Sequence, residues 1–264
     1  MQKLLNEVLS VAIDAGHEIM GVYQCPVNLK VDAKQDGSPL TQADLLAHKL
    51  IVAGLSSLAP NIPILSEESK SIELIDRKSW LTYWLIDPLD GTKEFINRNG
   101  QFTVNIALIE KGKPVLGVVY APVLNKAYFG GVGLGAFVQI DGSVSRCIQC
   151  SAALPQSLRV VASKSHSDEQ TTDFLEKLDQ YDLTPMGSSL KLCLVAEGEA
   201  DVYPRFGPTM EWDTAAAQAI VEAAGGVVCD VDGLALSYNK QDLHNPAFFV
   251  MSAILKERIL KLLI

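Results

Sequence analysis

The chain has 264 residues, of which 48% are hydrophobic and 20% are charged, an ordinary globular composition that excludes disorder as the main state. No apolar run approaches the roughly 20 residues that a membrane-spanning helix needs. The net charge is −9, which argues against general nucleic-acid binding, because that usually requires a basic face. An anionic substrate would need a local reversal of this charge, and divalent cations usually supply it.

The five cysteines are an odd and sparse set, so they do not indicate a disulfide framework. Cys147 and Cys150 form a Cys-x-x-Cys pair, but no second pair completes a zinc site. We interpret them as ordinary reduced thiols on a short strand, where positions i and i+3 face opposite sides. No basic region precedes an apolar core at the N-terminus, so we expect no signal peptide and a cytoplasmic location.

The first half of the chain combines two helices with a hairpin-rich sheet. Apolar residues at helical spacing predict an amphipathic helix over 1–22, and a second helix begins at Ser38 or Thr41 with Asp44 in its first turn. Its predicted apolar face is Leu45, His48, Ile51, Leu55 and Leu58. Residues 27–36, between the two helices, are predicted to be extended, and strands are predicted at 62–65, 80–86, 102–109, 114–120, 127–129 and 136–140. The strand at 80–86 is expected to end abruptly, because Pro88 opposes a simple continuation of the ladder.

The second half alternates strands and helices, which predicts layered α/β packing. Strands are predicted at 158–162, 200–203, 227–229 and 248–251, and helices at about 167–178, 188–197, 213–224 and the end of the chain. The change of character near 145–157 predicts two domains, an α+β domain over 1–150 and an α/β domain over 151–264. A cleft between two such halves is a common place for a functional site.

The most informative segment is Asp-Pro-Leu-Asp-Gly-Thr at 87–92. A hydrophobic strand delivers Asp87 to its end, and Gly91 permits a tight backbone path beyond Asp90. Such a corner can direct two carboxylates and the Leu89 carbonyl at one point, and hard cations such as Mg²⁺ prefer oxygen ligands of this kind. The alternative is a surface turn in which Asp90 caps a helix that starts at Thr92.

Three other acidic sites strengthen the metal hypothesis. The adjacent Glu67 and Glu68 end a short apolar run, and like charges at this distance imply either a cation or an exposed acidic loop. Asp213 is expected to cap the helix that it opens, with one carboxylate oxygen left free. Asp44 lies in a first helical turn, where a carboxylate favours the helix dipole even without a function.

Together these residues supply enough oxygen ligands for two or three Mg²⁺ ions. The Thr92 hydroxyl could relay a hydrogen bond from Asp44 to a metal-bound water, which would activate that water without a histidine. The amides of Gly91 and Thr92 begin a predicted helix, and helix N-termini bind phosphate readily. These residue types therefore suit metal-assisted hydrolysis of a phosphate ester.

At this point the sequence resembles the inositol monophosphatase superfamily, whose members are lithium-sensitive, Mg²⁺-dependent phosphatases. The resemblance lies in Leu-Ser-Glu-Glu-Ser at 65–69, Ile-Asp-Pro-Leu-Asp-Gly-Thr at 86–92 and Glu-Trp-Asp-Thr-Ala-Ala at 211–216. The longer strings at 83–95, 187–191 and 203–209 resemble the bacterial CysQ branch, the 3′(2′),5′-bisphosphate nucleotidases.

The resemblance implies an α/β fold, the layered α/β/α/β/α sandwich of the sugar phosphatases. It implies removal of the 3′-phosphate from adenosine 3′,5′-bisphosphate, a by-product of sulfate assimilation, with phosphoadenylyl sulfate as a further candidate substrate. It also implies loose attachment to the inner membrane, although the sequence shows no anchor.

The resemblance further implies roles for individual residues. The metal ligands would be Glu67, Asp87, the Leu89 carbonyl, Asp90 and Asp213, with Asp44 and Thr92 activating the attacking water. A third, weaker metal would lie beside Glu67. The substrate would contact Glu67, Leu89, Asp90, Gly91, Thr92 and Asp213. Its 5′-phosphate would meet His166, Ser188, Lys191 and Arg205.

Two other functions stay open from the sequence. The first is another phosphatase of the superfamily, acting on inositol or sugar phosphates, for which the Lys191 and Arg205 pair would be unnecessary. The second is a non-catalytic, Mg²⁺-dependent nucleotide sensor, which would not need the Asp44 and Thr92 pair. Salt bridges to acidic residues are the alternative explanation of Lys191 and Arg205.

Overall fold

The computed structural model describes residues 1–25, 31–33, 39–69, 74–163 and 169–263. The helices are α1 Gln2–Gln24, α2 Gln42–Leu58, α3 Leu74–Arg77, α4 Thr92–Ile96, α5 Glu169–Glu176, α6 Leu190–Ala196, α7 Glu211–Ala223 and α8 Lys256–Lys261. The strands are β1 Val31–Ala33, β2 Pro39–Thr41, β3 Ile64–Ser66, β4 Thr82–Asp90, β5 Thr103–Glu110, β6 Lys113–Ala121, β7 Lys126–Gly131, β8 Gly135–Ile140, β9 Arg146–Ile148, β10 Leu158–Ser163, β11 Tyr181–Met186, β12 Val202–Arg205, β13 Gly226–Asp230 and β14 Phe248–Ser252.

Two large sheets organise these elements. The seven-stranded sheet runs in chain order from β3 to β9, and the five-stranded sheet has the order β11-β10-β12-β14-β13. In the first sheet β3 is parallel to β4 and the following pairs are antiparallel, including the predicted hairpin β5–β6. The second sheet is mixed, with β10 parallel to both β11 and β12. Its edge strand β11 was not predicted, and its side chains are largely exposed.

The layers follow from which face each element buries. The pair α1 and α2 covers the outer face of the seven-stranded sheet. The helices α6 and α7 lie between the two sheets, and α5 and α8 cover the outer face of the five-stranded sheet. This arrangement confirms the predicted α/β/α/β/α sandwich.

The two halves of the chain share one core cluster. Leu85 from β4 and Val250 from β14 both belong to the cluster that surrounds α6 and α7. The strands β3 to β9 belong to one large sheet and those from β10 onwards to the other. That each half is a domain of its own stays a prediction.

The sequence predicted that β4 ends abruptly at Pro88, but the strand continues to Asp90. Its pairing with β5 has a register shift between Asp87 and Asp90. The pairing of β4 with β3 stops at Ile86, so the missing N–H of Pro88 interrupts no ladder with β3. The Leu89 N–H instead donates to Asp87 Oδ1 at 3.0 Å. The irregular ladder re-aims the side chains of the motif, which is a common use of a bulge near a functional site.

Two helical predictions need correction. Leu45 was assigned to the apolar face of α2, but it is 40% exposed, and the buried face contains Ala43, Asp44 and Ala47 instead. Helix α7 begins at Glu211, so Asp213 is its third residue rather than its N-cap, which is Met210. Thr41 caps α2, and the alternative cap, Ser38, lies outside the described residues.

All five thiols are free, with Cys147 exposed on β9 and Cys150 buried two residues beyond the end of that strand, not on the same strand as interpreted. Among the described helices, none combines the length and apolar character that a bilayer crossing requires. The long helix α1 is amphipathic and buries one face on the seven-stranded sheet.

Candidate active site

Three carboxylates from distant parts of the chain converge at the end of β4. Asp87, Asp90 and Asp213 each offer an oxygen, and these oxygens lie within 4.8 Å of one another. The first two come from the irregular end of β4 and the third from the first turn of α7, which packs against that strand. This spacing lets the three carboxylates share a cation.

The electrostatics of the cluster are unfavourable without a cation. Burial, and then the charges of Glu67, Asp90 and Asp213, raise the pKa of Asp87 well above its usual range. Burial and the neighbouring Asp90 likewise raise the pKa of Asp213, although the Met210 N–H opposes the shift. Like charges held together in a protein interior require protonation or a positive ligand.

Glu67 joins the cluster through the parallel pairing of β3 and β4. The register ends with Ser66 paired with Ile86, and the Glu67 N–H donates to the Ile86 carbonyl at 3.1 Å, which brings Glu67 next to Asp87. The two carboxyl groups are within hydrogen-bonding reach of each other. The structure therefore brings Glu67 to Asp87, as the metal hypothesis requires.

Asp44 and Thr92 form the pair that the sequence predicted. Asp44 is 1% exposed, and its Oδ2 accepts hydrogen bonds from the Thr41 N–H at 2.8 Å and the Thr41 hydroxyl at 2.5 Å. Its other oxygen, Oδ1, lies 3.3 Å from Thr92 Oγ1. The Thr92 hydroxyl also lies 3.4 Å from the Leu89 carbonyl oxygen, which places both groups beside the carboxylate cluster.

Asp213 is held in the same way as Asp44. Each is the third residue of its helix, and each turns one oxygen back to the N-cap backbone. Asp213 Oδ2 accepts from the Met210 N–H at 2.8 Å. The local helix start thus fixes one oxygen of each carboxylate.

Asp90 and Asp213 open into a cavity that contains most of the predicted substrate residues, although Glu67 and Leu89 are not in its lining. It has a volume of about 350 Å³, within the range of small-molecule sites. The predicted residues in its lining are Asp90, Gly91, Thr92, Ser188, Lys191, Arg205 and Asp213. The backbone at Gly91 has φ 93°, a conformation that glycine adopts without strain.

Lys191 and Arg205 supply the positive side of this cavity. Lys191 is 7% exposed, its Nζ donates to the Ser188 carbonyl at 2.7 Å, and burial lowers its pKa to about 8. Arg205 donates from Nη2 to the Pro208 carbonyl at 3.0 Å, while its buried Nε has no partner among the residues that the structure describes. Neither cation forms a salt bridge within the described part of the chain, which weakens the salt-bridge explanation of this pair.

Sequence reasoning missed the residues that support the cluster. Ser189 donates its backbone N–H to Asp90 Oδ2 at 2.6 Å, and Asn105 Nδ2 donates to Ser189 Oγ at 2.8 Å. Gln101 accepts from the Gly187 N–H at 2.9 Å. The available signal for Asn105 was a polar residue in the middle of an apolar strand. His166, predicted to bind substrate, lies outside the described residues.

Comparison with known proteins gives a consistent result. The profile of the inositol monophosphatase family matches residues 1–263. The chain is 51% identical to the 3′(2′),5′-bisphosphate nucleotidase CysQ of Salmonella typhimurium over 94% of its own length and 99% of that protein. The corresponding protein of Escherichia coli K12 is 49% identical with the same coverage. The crystal structure of CysQ from Bacteroides thetaiotaomicron superimposes with a TM-score of 0.84 at 43% identity, over 96% of this chain and 98% of that one. The chain belongs to the inositol monophosphatase family.

Proposed function

We propose that this protein is a Mg²⁺-dependent phosphatase that removes the 3′-phosphate of adenosine 3′,5′-bisphosphate, giving AMP and phosphate. The observation that carries the proposal is a cluster of three carboxylates within 4.8 Å, two of which, Asp90 and Asp213, line a cavity that also contains Lys191 and Arg205. The acidic side suits metal-assisted attack on one phosphate, and the basic side suits recognition of a second. The names of the CysQ relatives support the same substrate class.

The donor set fits Mg²⁺, which prefers carboxylate and carbonyl oxygens. Glu67, Asp87, Asp90 and the Leu89 carbonyl would hold one ion, and Asp87, Asp90 and Asp213 would hold a second. A third ion beside Glu67 is part of the proposal. When bound, Mg²⁺ supplies positive charge for the phosphate oxygens and acidifies a bound water.

In the proposed hydrolysis, Thr92 and Asp44 activate the attacking water. Thr92 Oγ1 accepts a hydrogen bond from the attacking water and directs its own proton at Asp44 Oδ1, 3.3 Å away. Thr41 fixes the other Asp44 oxygen, so the acceptor is already oriented. The water forms the new oxygen–phosphorus bond and passes one proton through Thr92 towards Asp44. The ester bond breaks, and the sugar oxygen leaves on the Asp213 side and takes up a proton from solvent.

Lys191 and Arg205 bind the 5′-phosphate. Arg205 presents a guanidinium whose buried Nε has no partner in the described chain, and a guanidinium matches the geometry of a phosphate. Ser188 adds a hydroxyl at the same wall of the cavity. The backbone of Gly91 and Thr92 faces the phosphate that is removed, and His166 completes the predicted set.

A phosphate-release assay tests the function directly. Adenosine 3′,5′-bisphosphate, phosphoadenylyl sulfate and inositol 1-phosphate are compared at equal concentration, with and without Mg²⁺. We expect Mg²⁺-dependent release, with kcat/KM for the bisphosphate exceeding that for inositol 1-phosphate by orders of magnitude. Equal turnover of the two would favour a general sugar phosphatase, and binding without turnover would favour a nucleotide sensor.

The physiological setting follows from the substrate. A 3′,5′-bisphosphorylated adenosine is left behind when sulfate assimilation consumes its sulfated nucleotide, so the proposed role is clearance of that by-product. A cytoplasmic location, and peripheral attachment to the inner membrane, stay predictions.

A further inference from the structure

One carboxylate oxygen of Asp90 is surrounded by hydrogen-bond donors from Ser189 and from Asn105. Asp90 Oδ2 accepts from the Ser189 N–H at 2.6 Å and lies 2.7 Å from the Ser189 hydroxyl. Asn105 Nδ2 approaches the same oxygen at 3.3 Å. A carboxylate oxygen has two lone-pair sites, so Oδ2 is saturated and Oδ1 is the atom left for a cation.

The Ser189 hydroxyl stands where the carboxylate-bearing elements meet. Besides Asp90 on β4, it lies 2.7 Å from the Asp213 carbonyl oxygen on α7. Its oxygen accepts from Asn105 Nδ2 at 2.8 Å, and Asn105 is fixed in turn by the Thr103 hydroxyl at 3.0 Å. Ser189 is 2% exposed, so this hydroxyl has no competing solvent and its orientation is set by its neighbours.

Ser189 also belongs to the segment 187–191, which forms the wall of the cavity beside Lys191. The preceding residue, Ser188, has φ 47°, and its carbonyl accepts from Lys191 Nζ. A movement of Asp90 would therefore be transmitted through Ser189 to the group that binds the second phosphate.

We propose that Ser189, oriented by Asn105, is a positioning residue that holds Asp90 for the divalent cation and links cation binding to the second-phosphate side of the cavity. This inference rests on the proposed function, in that it assumes a divalent cation at Asp90. It assigns Ser189 no contact with the reacting atoms. Its effect is exerted through the orientation of Asp90.

The first test measures cation binding without catalysis. Isothermal titration calorimetry with Mg²⁺ alone is carried out on the metal-free wild-type protein and on Ser189→Ala, which keeps the backbone donor and loses the hydroxyl. We expect affinity for Mg²⁺ to fall roughly 10- to 100-fold, as is typical when a residue that orients a metal ligand is removed. Ser189→Thr keeps the hydroxyl and should restore affinity to within a few-fold of the wild type.

The second test measures the link to the substrate. In the phosphate-release assay, Ser189→Ala should need a correspondingly higher Mg²⁺ concentration for half-maximal activity and should recover most of its kcat at saturating Mg²⁺. At low Mg²⁺ its KM for the bisphosphate should rise as well. Asn105→Ala should shift Mg²⁺ affinity in the same direction, and the double variant should lose less than the product of the two single effects.

A matched control separates these effects from the loss of a buried hydroxyl in general. Ser252 is 1% exposed, and its Oγ has no hydrogen-bond partner within the described residues. Ser252→Ala should bind Mg²⁺ and turn over substrate like the wild type.

Wild-type Mg²⁺ affinity in Ser189→Ala would overturn the inference, even if that variant melted at a lower temperature. If Ser189→Ala does not fold, Asn105→Ala decides by the same titration, since unchanged affinity there removes the proposed support. A wild-type protein that binds Mg²⁺ but does not hydrolyse the nucleotide would refute the proposed function and leave the calorimetric comparison valid.

Discussion

Replacement of Lys191 by methionine should make the protein more stable and a worse enzyme. Lys191 is 7% exposed, and its ammonium contacts the Ser188 carbonyl at 2.7 Å and lies 5.4 Å from the centre of the Tyr203 ring. Methionine has a similar length and suits an apolar environment. The substitution therefore removes the charge and changes the packing little.

The expected gain in stability follows from the pKa of Lys191. Burial and the charge of Arg205 lower this pKa, Asp90, Glu94 and Asp213 oppose the shift, and the net change is from 10.5 to about 8. At about 1.4 kcal/mol per pKa unit, keeping this ammonium charged at pH 7 costs about 3 kcal/mol. Losing the hydrogen bond to the Ser188 carbonyl offsets about 1 kcal/mol of that. The net gain of about 2 kcal/mol corresponds to a Tm increase of roughly 4–8 °C.

The expected loss of activity is specific to substrates with a second phosphate. A hydrogen bond to a charged group contributes about 1.5–3 kcal/mol, so kcat/KM for adenosine 3′,5′-bisphosphate should fall roughly 10- to 150-fold. Hydrolysis of a substrate with only one phosphate should stay within about two-fold. Lys113→Met, which removes an exposed lysine on β6, controls for the change in net charge.

The assay combines thermal unfolding in EDTA with steady-state kinetics on both substrates. A lower Tm for Lys191→Met, together with an unchanged preference for the bisphosphate, would refute the reasoning. It would mean that the buried ammonium stabilises the fold and does not contact the second phosphate.

The same residue predicts a pH dependence. Lys191 is protonated below about pH 8 in the free enzyme, so kcat/KM for the bisphosphate should fall as pH rises through about 8. In Lys191→Met that step should disappear. The sign for stability is opposite, because the pKa in the folded state is lower than in the unfolded state. Between about pH 8 and 10.5 the unfolded chain binds more protons, and this group's contribution to stability rises with pH.

Three further substitutions test the site and its framework. Thr92→Ala should reduce kcat by about 10²-fold or more, as loss of a proton-transfer partner does, while calorimetric Mg²⁺ affinity stays within a few-fold; unchanged turnover would contradict the proposed relay. Asp87→Asn should raise the Tm in EDTA, because it removes the buried charge whose desolvation and repulsion raise the pKa of Asp87, and should abolish the increase in Tm that Mg²⁺ gives the wild type; a retained increase would argue against Asp87 as a ligand. Glu197→Gln should cost about 3 kcal/mol by denaturant unfolding, because the Glu197 side chain is 3% exposed and contacts Lys126 and Arg146; an unchanged midpoint would contradict a structural role for this network.

Some features of the site could be predicted from the sequence because they are local. The spacing of Asp87, Asp90 and Thr92 around Pro88 and Gly91 defines a strand end, and Asp44 in a first helical turn has one oxygen committed to the cap. Such features depend on backbone geometry within a few residues. The same locality explains the error at Asp213, since the N-cap lies three residues earlier, at Met210, yet Asp213 still directs one oxygen at a backbone N–H of the helix start.

The sequence by itself determined which acidic side chains could bind a metal ion and which basic side chains could bind a phosphate. Only the tertiary structure decided how these groups are held. Ser189 meets Asp90 across 99 positions of the chain, and Asn105 meets Ser189 across 84. These contacts exist because α6 packs between the two sheets. The lowered pKa of Lys191 has the same origin, because burial is a property of the assembled layers and no short segment of sequence contains it.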